Sequence, residues 1–172
     1  VTYQLYRKFS SEMESSKSKY LFEEIEIPLI ETLVAIEKNG VRLDRDFLAN
    51  MSEELAIVVK EKETKIYEIA GKTFNLNSPK QLGPILFDEL EIHKQLGKRP
   101  PKKTATGQYS TAEDELDKFS DHQIVSLLLD YREFTKLKST YIDALPQLVN
   151  PKTGNVHTSF NQTIAITGRL SS

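Results

Sequence analysis

Hydrophobic residues in the first quarter of the chain recur at intervals of three and four positions, which is the spacing of one face of an amphipathic helix. The residues that follow this spacing are Phe22, Ile25, Leu29, Leu33 and Ile36. Pro28 falls inside the pattern, so we expect either a kink or the first turn of a shorter helix at that point. Asn39 and Gly40 then provide a helix stop.

A second, longer helix is predicted between Asp44 and Gly71. Asp44 is a suitable N-cap residue, and a glycine commonly ends a helix in a left-handed conformation. The stripe between them is Leu48, Met51, Leu55, Val58, Lys62, Ile66 and Ile69. Because only a short turn separates the two predicted helices, we expect them to form an antiparallel helical hairpin.

The stretch FNLNSPKQLG places several short hydrogen-bonding side chains directly after this long helix. Ser78 followed by Pro79 is typical of the N-cap and first residue of a further helix. A single cap needs only one such side chain, and the amide groups of a helix N-terminus favour an anion. The candidate contacts to a nucleic-acid phosphate or sugar are therefore Asn75, Asn77, Ser78 and Lys80. Ordinary capping chemistry is the alternative interpretation.

The next segment, GKRPPKKTATGQYS, is predicted to be a loop, because it combines two prolines with two glycines. Residues 71–110 carry seven basic and three acidic side chains, a net charge of +4, whereas residues 11–70 carry eight basic and fourteen acidic ones. Lys102, Lys103 and Thr104 are therefore candidate phosphate contacts, and a solvated connector is the alternative. The sequence STAE, residues 110–113, matches a capping box and predicts a short helix after the loop.

A last long helix is predicted from about Asp121 to Leu148. Its apolar stripe is Leu127, Tyr131, Phe134, Leu137, Tyr141, Leu145 and Leu148. Arg132, Lys136 and Ser139 share another face at spacings of four and three, with Thr140 close by. We interpret that face as a second basic contact surface, since it lacks interleaved acids; a solvated helix face is the alternative. Beyond the turn NPKTG, the alternating stretch VHTSFNQT predicts a short β-strand.

Composition narrows the chemistry further. The 172 residues include no cysteine, which excludes disulfides, thiol catalysis and cysteine-bound metal. No apolar run is long enough for a membrane span, and no metal-ligand spacing, phosphate loop or nucleophile with a base is evident. Both ends look cut, so we expect a fragment. From its residues alone, the chain is interpreted as a helical clamp for nucleic acid, with a helical protein-interaction module that binds no DNA as the rival.

Two stretches, YREFTKLKSTYIDALPQLVNPKTG and VHTSFNQTIAITGRLSS, closely resemble the bacterial family A DNA polymerases. FNLNSPKQLG and the KKT…YST loop match in the same order, so the resemblance covers essentially the whole chain. It implies three parts: the tail of a 3′–5′ exonuclease-like domain (1–19), a helical thumb that binds duplex DNA (20–150) and the truncated start of the palm (151–172). The implied fold class is mainly α, namely a helical hairpin with further helices, plus a short β segment at the C-terminus.

The resemblance also implies a function for the protein to which the chain belongs: a DNA-directed DNA polymerase, a nucleotidyltransferase of DNA replication and repair, in the bacterial cytoplasm with the nucleoid. The chain would grip the primer-template duplex through backbone and minor-groove contacts, to which the resemblance adds Ser110, Thr111 and Arg169. Arg169 would reach the minor groove at the primer terminus. In this family the catalytic aspartates, their Mg²⁺ and the binding of deoxynucleotide triphosphates belong to segments beyond Ser172. We therefore expect no metal, no cofactor and no polymerase activity in this chain alone.

Overall fold

A computed structural model describes residues 1–16 and 18–172 and divides them into two compact units. One unit is formed by Val1–Leu43 together with Leu148–Ser172, and the other by Asp44–Gln147. The described residues are mainly helical, as the hydrophobic pattern predicts. The domain boundaries implied by the resemblance, after residues 19 and 150, remain predictions. None of the described helices is both long enough and apolar enough to cross a membrane.

The first unit contains three helices near its N-terminus. They are α1 (Thr2–Ser15), α2 (Ser18–Tyr20) and α3 (Ile27–Asn39), with a π-helical segment, Leu21–Glu26, between α2 and α3. Pro28 lies in the first turn of α3, directly after the π-helical segment. Of the two expectations for Pro28, the first-turn position is therefore confirmed. Gly40 ends α3 with a φ of 67°.

The predicted strand over residues 156–163 is not formed. Val156 makes single β-bridges with Val41 and Val149, and Asn161 makes one with Ser171. The polar groups of this segment are instead bound by helix α3 and the turn before it. The ring nitrogen Nδ1 of His157 lies 2.8 Å from the carbonyl oxygen of Glu37, and the Phe160 N–H group donates to the Glu37 carboxylate. A ladder needs consecutive paired residues, and these contacts leave only isolated ones.

The second unit is built on α4 (Arg45–Ala70) and α8 (Gln123–Leu137), which pack against each other. Both predicted ends of α4 are confirmed. The Asp44 carboxylate accepts a hydrogen bond from the Phe47 N–H group at 2.9 Å, and Gly71 adopts the left-handed conformation. The buried side chains of α4 and α8 belong to one core. The hairpin expected between α3 and α4 would join the two units, so it stays a prediction.

Shorter elements complete the second unit. They are α5 (Pro79–Pro84), a π-helical segment (Ile85–Glu89), α6 (Ile92–Gln95), α7 (Glu113–Leu116) and a 3₁₀ turn (Asp117–Phe119). After α8 the backbone continues as a π-helical segment (Lys138–Ile142) and a 3₁₀ turn (Leu145–Leu148). The core residues are Ile66, Leu76, Leu82, Leu86, Phe87, Ile92, Leu116, Phe119, Ile124, Val125, Leu128 and Tyr131.

Two local predictions near α7 and α8 are wrong. Helix α7 starts at Glu113 with Ala112 as its N-cap, so residues 110–113 do not form a capping box. The buried side of α8 is lined by Ile124, Leu128 and Tyr131, whereas Tyr141, predicted to face the core, is 51% exposed. The predicted stripe therefore shares Tyr131 with the buried side of α8, but it omits Ile124 and Leu128 and includes the exposed Leu137.

Candidate nucleic-acid interface

The segment that joins α4 to α5, residues 71–78, forms a turn whose own backbone uses part of its polar side chains. The Asn75 side-chain oxygen accepts from the Asn77 N–H group at 2.9 Å, and the Ser78 N–H group donates to the Asn75 carbonyl at 3.0 Å. Gln81 reaches back from α5 and accepts from the Asn75 N–H group at 2.8 Å. Asn75 therefore shapes the turn, while Asn77 and Ser78 present their side chains.

The predicted anion site at the start of α5 is weaker than expected. Pro79 has no N–H group, and the amides of Gln81 and Leu82 both donate to the Ser78 carbonyl. The Lys80 amide is the one left without a partner among the first-turn amides that the structure describes. The Ser78 hydroxyl makes no capping bond. Contacts from this turn to a phosphate would thus come mainly from side chains, above all the exposed Lys80.

The basic loop has a defined shape between residues 102 and 110. Lys103 and Tyr109 form an isolated antiparallel bridge, and the Ser110 N–H group donates to the Lys102 carbonyl at 3.1 Å. The Thr104 N–H group donates to the Gln108 carbonyl at 2.7 Å, which closes the turn between the two arms. These hydrogen bonds give this part of the loop a defined turn, while the predicted phosphate contacts stay a prediction with the solvated connector as the alternative.

The side chain of Tyr109 packs against the body of the unit. Its ring centre lies 5.1 Å from that of Phe87, and its hydroxyl donates to the Asp88 carboxylate at 2.7 Å. Gly83 permits this approach, since a Cβ atom there would lie 3.2 Å from the Tyr109 Cβ atom. Lys80 is one helical turn before Gly83 and so shares its face of α5. The structure thus brings the basic loop to the same side of the second unit as the α4–α5 turn with Lys80 (residues 71–80), which we call the tip.

The cations of this region differ in how far they are already neutralised. Lys98 donates to the Asp121 carboxylate at 2.9 Å and to the Lys118 carbonyl at 2.7 Å, so it serves the fold. By contrast, Lys80, Lys102 and Lys103 are exposed and form no ion pair within the described part of the chain. Thr104 is exposed too, with its hydroxyl 2.9 Å from that of Thr106. These groups remain available to an external phosphate.

Tyr67 supports the tip from α4 and was missed by the sequence reasoning. Its single hydroxyl proton lies between two acceptors, the Phe74 carbonyl oxygen at 2.8 Å and the Glu63 carboxylate at 3.0 Å. Burial, together with the hydrogen bond to Glu63, raises the pKa of Tyr67 to about 12. Gln81 was missed as well, although Ser78 and Gln81 have the spacing of a capping box, and that pattern could have revealed it.

Arg132 has a hydrogen-bond partner within the fold and also lines a surface groove, so its predicted contact with DNA stays a prediction. It is half-buried, and one guanidinium nitrogen donates to the Thr111 carbonyl at 2.6 Å. Burial lowers the pKa of Arg132, and the nearby Glu113 opposes that shift. Thr111 itself is only 5% exposed, and Ser110 is half-buried. Arg132 and Thr111 therefore tie α8 to the segment before α7.

Lys136 lies on the same groove as Arg132, and that groove is more acidic than the sequence suggested. The groove has a volume of about 840 Å³. Its acidic residues are Glu113, Asp114, Asp117, Asp130 and Glu133. The prediction that this face lacks interleaved acids is therefore wrong: Asp130 and Glu133 come from α8 itself, and the other three come from α7 and the turn after it. Lys136, Ser139 and Thr140 are exposed, so these three predicted contacts remain open to solvent.

Arg169 lies in an exposed loop of the first unit. The loop is closed at its base by Asn161 and Ser171, whose amides and carbonyls exchange two hydrogen bonds of 2.7 and 3.0 Å. Gln162 anchors the same base by donating to the Glu26 carboxylate at 2.6 Å. Arg169 makes no ion pair with any residue in the described ranges, so a structural ion-pair role within them is not observed. The described residues also gather no group of three or more His, Cys, Asp or Glu side chains that could hold a metal ion.

Comparison with known proteins places this arrangement in a family. A model described as DNA polymerase family A matches residues 45–172. The chain belongs to DNA polymerase family A. DNA polymerase I from Synechocystis sp. is 47% identical over 100% of this chain and 17% of its own length. DNA polymerase I from Bacillus subtilis is 48% identical over 98% of the chain and 18% of its own length.

A solved structure of a polymerase domain has a fold similar to that of this family A polymerase segment. It is described as the POL domain of Pol1 from M. smegmatis in complex with DNA primer-template and dNTP. The match has a TM-score of 0.74 and 39% identity, and covers 88% of this chain and 26% of that one. The segment thus spans less than a fifth of the length of the two curated relatives.

Proposed function

We propose that this chain is the part of a bacterial DNA polymerase I that holds the primer-template duplex during DNA synthesis. In this proposal, residues 20–150 are the thumb and residues 151–172 begin the palm, with a short β segment that forms a ladder only beside further palm strands. The parent would be a DNA-directed DNA polymerase that acts on cytoplasmic chromosomal DNA in replication and repair.

One observation carries the DNA-binding role: the structure combines the tip and the basic loop on one side of the second unit and leaves their cations unpaired. The exposed side chains concerned are Lys80, Lys102, Lys103 and Thr104. Phosphate contacts of this kind are indifferent to base sequence, which a polymerase requires, and they make affinity depend on salt. The surface formed by the tip and the basic loop is basic and polar, so it favours a phosphate over the apolar partner that the rival protein-interaction role would require.

Asn77, Lys136, Ser139 and Thr140 add exposed donors to the proposed duplex contacts, and the half-buried Ser78 adds its hydroxyl. We assign a supporting role to Arg132, Ser110 and Thr111. All three are buried or half-buried, and Arg132 donates to the Thr111 carbonyl. The two-metal chemistry of the parent has no fitting carboxylate cluster among the described residues, so we derive no catalytic step here. We expect the chain alone to extend no primer.

Duplex titration at several salt concentrations tests the proposal. We expect a dissociation constant of roughly 10⁻⁴ to 10⁻⁶ M at physiological salt, equal for two unrelated duplexes. Replacing Lys80 and Lys102 by Gln should weaken binding and reduce the slope of log K against log[salt] by roughly 0.9 for each lost phosphate contact. A matched control replaces Lys65 and Lys152 by Gln, since both are exposed lysines that lie outside the proposed surface.

Equal losses in the Lys80/Lys102 and Lys65/Lys152 variants would show that net charge, rather than this surface, drives binding. Binding that ignores salt, or that selects strongly between the two duplexes, would contradict the thumb assignment.

A further inference from the structure

The aromatic ring of Tyr109 lies under the side chain of Lys103. The Lys103 ammonium nitrogen is 4.8 Å from the ring centre, within the range of a cation–π interaction. The two residues are bridge partners across the hairpin, and side chains of directly opposed residues lie on the same side of the pair. The hairpin geometry therefore places the cation on the ring face.

An aromatic partner has a consequence that an acidic partner would not have. The ring attracts the ammonium group without neutralising its charge or occupying its N–H donors. Lys60 and Lys98, in contrast, each donate to a carboxylate, at 2.7 and 2.9 Å. Lys103 is thus oriented and still fully available to a phosphate.

The rest of Tyr109 explains why the ring itself stays in place. The Asp88 carboxylate accepts a hydrogen bond from the hydroxyl, Phe87 packs against the ring, and Gly83 leaves room for the Tyr109 Cβ atom. One carboxylate oxygen of Asp88 is thereby engaged with the Tyr109 hydroxyl, at the edge of the ring.

We propose that Tyr109 is a positioning residue that holds the Lys103 ammonium group ready for a DNA phosphate, an inference that rests on the proposed function. Pre-orienting a flexible lysine reduces the side-chain entropy that binding would otherwise cost. Tyr109 itself makes no contact with DNA in this scheme.

A double-mutant cycle in duplex binding tests the inference. Lys103→Gln should reduce the salt slope by roughly 0.9 in the unmodified chain and in Tyr109→Phe, which keeps the ring. In Tyr109→Leu, which has no ring, Lys103→Gln should have less than half of that effect, and Tyr109→Leu alone should weaken binding about two- to fivefold. Lys102→Gln is the matched control, and its effect should be the same in all three backgrounds.

A measurement without DNA complements the cycle. The ε-methylene protons of Lys103 should show an upfield ring-current shift in the free chain and in Tyr109→Phe, and lose it in Tyr109→Leu. Circular dichroism establishes that each variant is folded.

The outcomes separate the two proposals. An unmodified chain that binds no duplex at low salt overturns the proposed function and this inference together. Binding in which Lys103→Gln has the same effect in every background overturns only the role of Tyr109. The same holds if Tyr109→Leu abolishes the effect of Lys102→Gln as well, because Tyr109 would then hold the whole loop rather than Lys103. Absence of the ring-current shift in the unmodified chain also overturns it.

Discussion

The hydroxyl of Tyr67 donates to the carbonyl oxygen of Phe74 at 2.8 Å, and their rings meet edge to face with centres 5.6 Å apart. This pair ties the last two turns of α4 to the turn that precedes α5. Because Asn75, Asn77 and Lys80 follow directly, the geometry of the proposed DNA tip depends on a residue that does not itself face the ligand.

Removing that hydroxyl should loosen the tip. Tyr67→Phe keeps the ring contact but leaves the Phe74 carbonyl without this donor, so we expect a loss of about 1 kcal/mol in the free energy of unfolding. Amide hydrogen exchange of residues 75–80 should become faster. Urea denaturation and exchange measurements check both effects, and Tyr20→Phe, at an exposed tyrosine, is the control. Unchanged exchange at the tip would contradict this role.

The same residue predicts a change of stability at alkaline pH. The folded state raises the pKa of Tyr67 from 10.0 to about 12, chiefly by burial and then by the bond to Glu63. A tyrosine with a raised pKa contributes stability that is complete below its unfolded pKa and is lost as the pH rises through the folded value. Melting temperature should therefore fall between about pH 10 and 12, and less steeply in Tyr67→Phe than in the unmodified chain. Identical slopes would exclude this contribution.

Helix ends were predictable where the signal is local. Asp44 and Gly71 bound α4 because a cap carboxylate and a left-handed glycine act within one turn of the backbone. The buried side of α8 was not predictable in the same way. Its stripe through Ile124 and Leu128 lies beside a second apolar stripe, and only packing against α4 selects between them. Periodicity indicates that a helix has an apolar face, whereas packing against the neighbouring helix determines which part of that face is buried.

Two glycines with similar φ angles should respond differently to alanine. Gly40 and Gly71 have φ angles of 67° and 69°, but a Cβ atom at Gly40 would lie 2.8 Å from the Val156 carbonyl oxygen, while Gly71 has open space. Gly71→Ala should cost roughly 1–2 kcal/mol for its left-handed backbone. Gly40→Ala should cost about 3 kcal/mol or more, because strain and a backbone clash combine. Thermal unfolding of both variants compares them, and equal costs would show that the clash relaxes freely.

Arg132 and Lys136 were predicted as equivalent DNA contacts. From the structure we expect substitution of Arg132 to affect mainly stability and substitution of Lys136 to affect mainly DNA binding. Arg132→Ala removes a charged donor from the Thr111 carbonyl, so it should lower the free energy of unfolding by about 2 kcal/mol and leave the salt slope of DNA binding unchanged. Lys136→Ala should change stability by less than about 0.5 kcal/mol and reduce the slope by roughly 0.9. Denaturation and duplex titration of both variants test this difference. An Arg132→Ala variant with unchanged stability and a reduced salt slope would show that Arg132 contacts DNA directly.

The candidate surface was predictable as a set of residue types but not as a geometry. Lys103 and Thr104 stood out as basic and polar loop residues, and the family resemblance added Ser110 and Thr111. Nothing local in the sequence indicates that Tyr109 meets Gly83 or that Arg132 meets Thr111 across 21 positions. Such contacts depend on the whole unit folding, and they decide which of the predicted side chains remain free.

Arg169 offers the clearest test of the palm assignment. It is exposed in its loop and has no ion-pair partner among residues 1–16 and 18–172, so Arg169→Ala should change the free energy of unfolding of this chain by less than about 0.5 kcal/mol. In a polymerase that contains the chain, the proposed position at the primer terminus aligns reacting atoms that must approach to about 3–3.5 Å. Its planar guanidinium suits the acceptors of the minor-groove edge, which every base pair provides. We therefore expect Arg169→Ala to slow single-turnover nucleotide incorporation on saturating primer-template more than about tenfold, or roughly 1.4 kcal/mol in the barrier. Lys65→Ala serves as the control on the same enzyme. A folded Arg169→Ala enzyme with an unchanged incorporation rate would show that this arginine does not act at the primer terminus.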